Sequence, residues 1–201
     1  AAMLAALAAK PGGHRVATVC ADMVDVPVPA RPGDPDRGAP VAGVLVAYNT
    51  FFLLASEANQ QRCLAAVAAR LEPGGWCAFE AFVPAAALPE QGSHGGGRSL
   101  AADRVVLPAE VHDPAAQTIS GQFIDISTGA GGIALRPFHL RWATPHQLDD
   151  MAGAAGLVLE DRGATWDGEP FTGASPNHGS LGRRRREPRR RAPRRPRAPG
   201  R

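Results

Sequence analysis

The sequence predicts an α/β protein: a mostly parallel sheet with helices on its faces and an antiparallel β insertion. Three observations predict it. The apolar run Val41 to Tyr48 does not alternate, as in a strand buried on both faces of a parallel sheet. A helical pattern follows, then the turn Pro73-Gly74-Gly75 and a second apolar run, Trp76 to Val83, which is the grammar of a βαβ unit. From Arg104 to Trp142 the text changes to consecutive β-rich runs with short turns, which reads as an antiparallel meander.

Taken in order, Met3, Leu4 and Leu7 sit at helical spacing among strong helix formers, and Lys10-Pro11-Gly12-Gly13 stops the pattern. The chain opens Ala1-Ala2-Met3 inside this helix, so the expectation is a natural N-terminus further upstream. Arg15 to Ala21 is short and β-branched and is expected to be a strand that delivers Asp22-Met23 at its carboxyl end. Residues 27–40, with five Pro, form a loop. Ser56 caps a helix whose Leu64, Val67, Ala68 and Leu71 share one face, and Pro-Gly-Gly closes it. Residues 84–103, rich in Gly, Ala and Pro, read as a loop. Val105 to Leu107, Thr118 to Ile126 and Ile133 to Trp142 are the meander strands, with a Gly-rich turn at 129–132. Thr144-Pro145-His146-Gln147 supplies a cap, a proline at the first helical position and a capping-box glutamine, and the helix ends at Gly156. Leu157 to Asp161 is a further strand.

Charge is divided unevenly along the 201 residues. Residues 183–201 hold 11 Arg and one Glu, so the remainder is acidic although the whole chain carries +3. An average over the chain would therefore misread it as a nucleic-acid binder. Cys20, Cys63 and Cys77 are odd in number, far apart and without metal spacing, which argues against a disulfide framework or a structural metal and for a reducing, cytoplasmic setting. No apolar stretch reaches the roughly 20 residues of a membrane span.

In open α/β sheets ligands bind beyond the carboxyl ends of the parallel strands. That rule selects Asp22-Met23 and Tyr48-Asn49-Thr50. A carboxylate there can accept from an amine or hydroxyl, and a methionine offers a soft apolar wall to a flat ring. Against this stands the simpler reading in which Asp22 caps a turn and Met23 packs in the core. Glu80 and Phe82, on the strand facing the cleft end, are candidates for substrate contact. So is His112, for which an Asp-Pro turn is the plainer account. The remaining histidines read as surface or turn residues, and Trp142 and Trp166 as core packing.

The order of these pieces resembles a class I S-adenosylmethionine-dependent methyltransferase of the small-molecule type. The likeness is carried by AAMLAALAAKPGG, VCADM, VLVAYNTFFLL, RCLAAVAARLEPGGW and FEAFVP, and then by LRWATPHQLDDMAGAAGLVLEDR and WDGEPFTGASPNH, across residues 1–178. The resemblance implies a Rossmann-like fold and S-adenosylmethionine as cofactor. It implies Asp22 near the adenine amine, Met23 against the adenine ring, and Tyr48 and Asn49 beside the methionine part or the substrate entrance. It also makes the meander at 104–142 a lid and the acceptor a small molecule, with nitrogen, oxygen and carbon all open. The family's first strand and the Gly-rich loop after it would precede Ala1, so the sheet is expected to lack its first strand and this chain alone to bind the cofactor poorly or not at all. Residues 1–182 would thus be a partial methyltransferase domain.

Past His178 the likeness ends. Residues 183–201 are expected to form an Arg/Pro-rich disordered tail, whose vocabulary fits a shifted frame in GC-rich DNA that replaced the family's last strand. Two rival functions follow: a degenerate, non-catalytic binding module, and nonspecific nucleic-acid binding through the arginines.

Overall fold

The computed structural model describes residues 2–25, 39–84, 93–94, 99–128 and 131–185. The expected loop at 27–38, most of 85–98, and the arginine tail from residue 186 lie outside the described residues. The elements are α1 (Ala2–Ala8), β1 (Val41–Val46), α2 (Glu57–Arg70), β2 (Leu71–Phe82), β3 (Ser93–His94), β4 (Ser99–Leu100), β5 (Arg104–Asp113), β6 (Thr118–Ser127), β7 (Ile133–Arg141), α3 (Pro145–Ala154), β8 (Leu157–Gly163) and β9 (Asn177–Arg184).

Two sheets result. The main sheet has the order β1-β2-β9-β8, with β1 and β2 parallel and β9 antiparallel to both β2 and β8. The second sheet is the antiparallel run β3-β5-β6-β7, with β4 also on β5. The expected mixed α/β architecture with its antiparallel insertion is therefore present.

Helix α2 starts where Ser56 Oγ accepts from the Asn59 amide, and α3 carries the full capping box of Thr144 and Gln147 with proline in the first turn. Both helices cover the same face of the main sheet. Leu64, Val67 and Ala68 from α2 and Leu148 and Met151 from α3 meet Cys77, Ala81 and Leu157 from the strands, with Phe51 and Phe52 closing one end of the core.

Four expectations need correction. Arg15–Ala21 is not a strand: a 3₁₀ turn at Gly13–Arg15 leads into exposed, irregular chain, because β1 offers it no hydrogen-bonded pairing. Val41–Val46 is not buried on both faces, because it is the edge of its sheet, and Leu45 is 60% exposed. Pro73-Gly74-Gly75 does not close α2, which ends at Arg70; it forms an irregularity at the start of β2, where the register to β1 shifts and Gly74 takes φ 86°.

The fourth concerns the last strand, which was expected to be replaced. It exists as β9, reading NHGSLGRR, and it is interior to the sheet. Its hydrophobic pattern is weak because two of its inward positions are His178 and Ser180, joined through His178 Nδ1 and Ser180 Oγ, and because glycines stand at 179 and 182. Trp166 lies within about 3.2 Å of where a Gly179 Cβ would stand, so glycine there makes room for the ring. Arg183 and Arg184 belong to this strand and donate to the Gly74 and Leu71 carbonyls, so the first arginines of the run are structural.

The second sheet is fastened at its base by a polar network. Arg141, at the end of β7, donates to Gln60 Oε1 at 2.7 Å and to Glu57 Oε2 at 2.6 Å on α2. Gln60, fully buried, returns a bond to the Arg141 carbonyl at 2.7 Å. Gln117 and Gln147 join β5–β6 to α3 at 2.8 Å.

A candidate cofactor cleft at the carboxyl end of the parallel strands

Strand β1 stops at Val46, and the next residues turn sharply. Tyr48 and Asn49 both take left-handed backbone, φ 55° and 58°. That conformation is costly for a tyrosine and persists only where the surroundings enforce it. Here three bonds to β2 enforce it: the Tyr48 amide donates to Glu80 Oε2 at 3.1 Å, the Asn49 amide to the Glu80 carbonyl at 3.0 Å, and the Phe82 amide to Asn49 Oδ1 at 2.7 Å. Tyr48, Asn49, Glu80 and Phe82 are thus brought together as one braced corner. Glu80 is engaged with backbone, and Phe82 packs edge-on against Phe52 at 5.0 Å.

Beside this corner lies an open, largely apolar cleft of about 480 Å³, walled by Val19, Met23, Val44, Val46, Tyr48, Thr50, Phe51 and Cys63. Met23 reaches it although Arg15–Ala21 is no strand, because Met23–Asp25 forms a 3₁₀ turn packed on α2. Val24 is buried beneath it. Asp22 caps this turn, accepting from the Val24 amide at 2.9 Å, so the simpler reading of that carboxylate is the one observed. Its charge acts on Cys63, whose thiol is pushed up to about 11, mainly by burial and then by Asp22.

His112 stands apart from the cleft's walls. It is buried on β5 rather than set in a turn, with Nε2 3.0 Å from Glu110 Oε1; the Asp113 carboxylate caps the turn that follows. The sequence reading also missed a buried polar chain behind the sheet. Asp149 holds Arg162 by two bonds of 2.6 and 3.1 Å, Arg162 donates to Ser180 Oγ at 2.7 Å, and Ser180 meets His178 Nδ1 at 2.8 Å. His178 is 1% exposed, and burial, aided by the Arg162 charge and opposed by Asp149, pushes its pKa down to about 4. It was expected at the surface; the period-two spacing of His178 and Ser180 was the available signal.

The described residues line one side of an open cleft: an apolar wall and a braced strand-end turn whose Tyr48 and Asn49 amides both donate to Glu80. They fit the apolar flank of S-adenosylmethionine. Among them no Gly-rich phosphate-type loop or ribose-binding carboxylate faces the cleft, and no group of three His, Cys, Asp or Glu is placed to hold a metal.

A parallel β-α-β core with its cleft at the strand ends and an antiparallel sheet inserted after the second strand defines the class of fold: Rossmann-like α/β. Comparison with known proteins agrees. The chain is 34% identical to the CcbJ methyltransferase of Streptomyces caelestis, with TM-score 0.77 over 90% of this chain and 73% of that one. It is 32% identical over 138 residues to cypemycin N-terminal methyltransferase from Streptomyces sp, which is 66% of this chain. This chain spans about half, 54%, of that curated relative. A methyltransferase from Clostridium acetobutylicum shares the fold at TM-score 0.69 with 8% identity, over 83% of this chain and 64% of that one. No family model matches. The chain belongs to the S-adenosylmethionine-dependent methyltransferases. The rival readings as a degenerate module or a nucleic-acid binder are not favoured.

Proposed function

We propose that this chain is the larger part of an enzyme that moves a methyl group from S-adenosylmethionine to an amine nitrogen of a small molecule. The observation that carries the reading is the braced Tyr48–Asn49 corner above an apolar cleft, in a chain one-third identical to a methyltransferase. The choice of nitrogen is supported by the curated relative, an N-terminal methyltransferase of cypemycin.

When bound, the cofactor would supply an electrophilic sulfonium methyl to the amine lone pair, with a neutral thioether as leaving group and one proton to be lost from the new ammonium. The chain's own part is to hold and align. Met23, Val44, Val46 and Phe51 would flank the adenosyl group, Tyr48 and Asn49 would line its methionine end, and Asp22 would act through the turn that sets Met23. Glu80 serves by fixing that corner. Phe82 and His112 are assigned to the acceptor's side, with the second sheet as its lid. A cytoplasmic setting suits the three free thiols, and among the described residues no helix is long and apolar enough to cross a membrane.

The test is calorimetric titration of S-adenosylmethionine into this chain and into a version extended upstream from the genomic DNA. The extended protein is expected to bind at least tenfold more tightly. No binding by a folded extended protein would sink the reading.

A further inference from the structure

The two faces of the second sheet differ sharply in chemistry. Pairings alternate along β5, β6 and β7, so Arg104, Val106, Pro108, Glu110 and His112 share one face with Phe123, Asp125, Arg136 and Phe138. This face holds the Arg104–Asp125–Arg136 ion pairs, which keep the Asp125 carboxyl below its ordinary range, and the stacked Phe123–Phe138 rings at 4.7 Å. Its charges and aromatics have partners.

The opposite face carries Leu100, Val105, Leu107, Ile124, Ile126, Ile133 and Leu135, with Val111 nearby. None of these is charged, and they are contiguous across four strands. Ile133 is 71% exposed, Leu135 61%, Val111 65% and Leu100 84%. Val105, Leu107, Ile124 and Ile126 between them are half-buried, and the contiguous aliphatic run exceeds the scattered apolar residues of an ordinary surface.

We propose that this face is an interface between two copies of the chain, packed sheet on sheet about a two-fold axis. Three features favour a second copy. The first is charge: a face with no charged residue at its centre meets its own copy without repulsion, which a closed isologous contact requires. The second is area. Three strands of nine or ten residues cover on the order of 500 Å² of flat sheet. Side chains standing on it raise the accessible area toward the roughly 800 Å² per partner of a stable interface. Ser120, Gln122, Pro137 and His139 continue the same face toward the main body and give the patch a less apolar margin. The third is the edge. Strand β7 is one outer strand of this sheet, and Pro137 sits at its middle beside exposed Arg136, so strand addition along that edge is disfavoured and its apolar surface lies on the face.

Sedimentation velocity of the 201-residue chain tests this. The expected species has about twice the 20.9 kDa chain mass and persists in 0.5 M NaCl. Ile133→Glu with Leu135→Glu should weaken association at least tenfold, and Val111→Lys should do so independently. All three positions are already exposed, and far-UV circular dichroism confirms that each variant is folded. Leu45→Glu, on the main sheet, should leave the dimer intact. A monomer at about 100 μM overturns the proposal. So does association abolished by Leu45→Glu but not by the pair, or association lost in high salt, the mark of arginine-driven contacts.

Discussion

The two faces of the main sheet have had opposite fates. One is covered by α2 and α3 and holds nearly all of the fully buried side chains, including Leu64, Val67, Cys77 and Leu157. The other presents Leu45, Trp76, Ala78, Leu181 and Trp166 around an open hollow of about 560 Å³. Strands this apolar on both sides belong to sheets covered on both sides. The difference teaches that, among the described residues, the sheet is packed on the face its two capped helices cover and open on the other.

The comparison breaks hardest at the covered face. Leu64→Ala, which removes a side chain 1% exposed from the centre of α2's contact, is expected to cost about 3 kcal/mol, read as a fall in the urea midpoint. Arg141→Ala should cost a similar amount, because it leaves buried Gln60 Oε1 without its donor and removes the ion pair to Glu57, although the bond from Gln60 Nε2 to the residue-141 carbonyl survives. If Arg141→Ala loses under 1 kcal/mol, the second sheet is not held by that network.

Acid probes the same face by a different route. With the folded His178 near 4 against an ordinary 6.5, both states are neutral above pH 6.5 and the group contributes no pH dependence there. Between 6.5 and 4 the unfolded chain takes up a proton that the folded chain refuses, so stability falls as pH falls. The full loss is roughly 3 kcal/mol at most. Urea titrations at pH 7, 5.5 and 4 should show it, and His178→Gln should flatten that part of the profile.

A smaller effect is expected at the braced corner. Glu80→Ala frees the Tyr48 amide and should cost about 1 kcal/mol, whereas Glu80→Gln keeps an acceptor oxygen and should stay within about 0.5 kcal/mol. Equal losses would mean that the carboxylate's charge, and not an acceptor oxygen alone, braces the corner.

How much of this was legible follows the same physics. Capped helices were, because Ser56 and Thr144-Pro145-His146-Gln147 state their termini locally. The βαβ unit was too, since its apolar runs need no distant partner to be recognised. Arg15–Ala21 misled, because β-branched residues make a strand only where a neighbour pairs with them. Strand β9 hid for the converse reason: glycines and a His–Ser pair satisfy an interior position without hydrophobic text. At the site, Tyr48 and Asn49 were found from the strand-end rule, but the bond from the Tyr48 amide to Glu80, thirty-two residues away, was not.

The smallest expected effect bears most directly on the bare face. Leu45→Lys removes an apolar side chain that is already 60% in water, so in this chain the urea midpoint should shift by no more than about 0.5 kcal/mol. If a version extended upstream covers the same leucine, placing lysine there should cost about 2 kcal/mol from lost burial and an unpaired charge. A small effect in both proteins would mean that added chain leaves this face open. A small effect here and a large one there would identify the bare face as an unfinished core, with Leu45 facing what completes it.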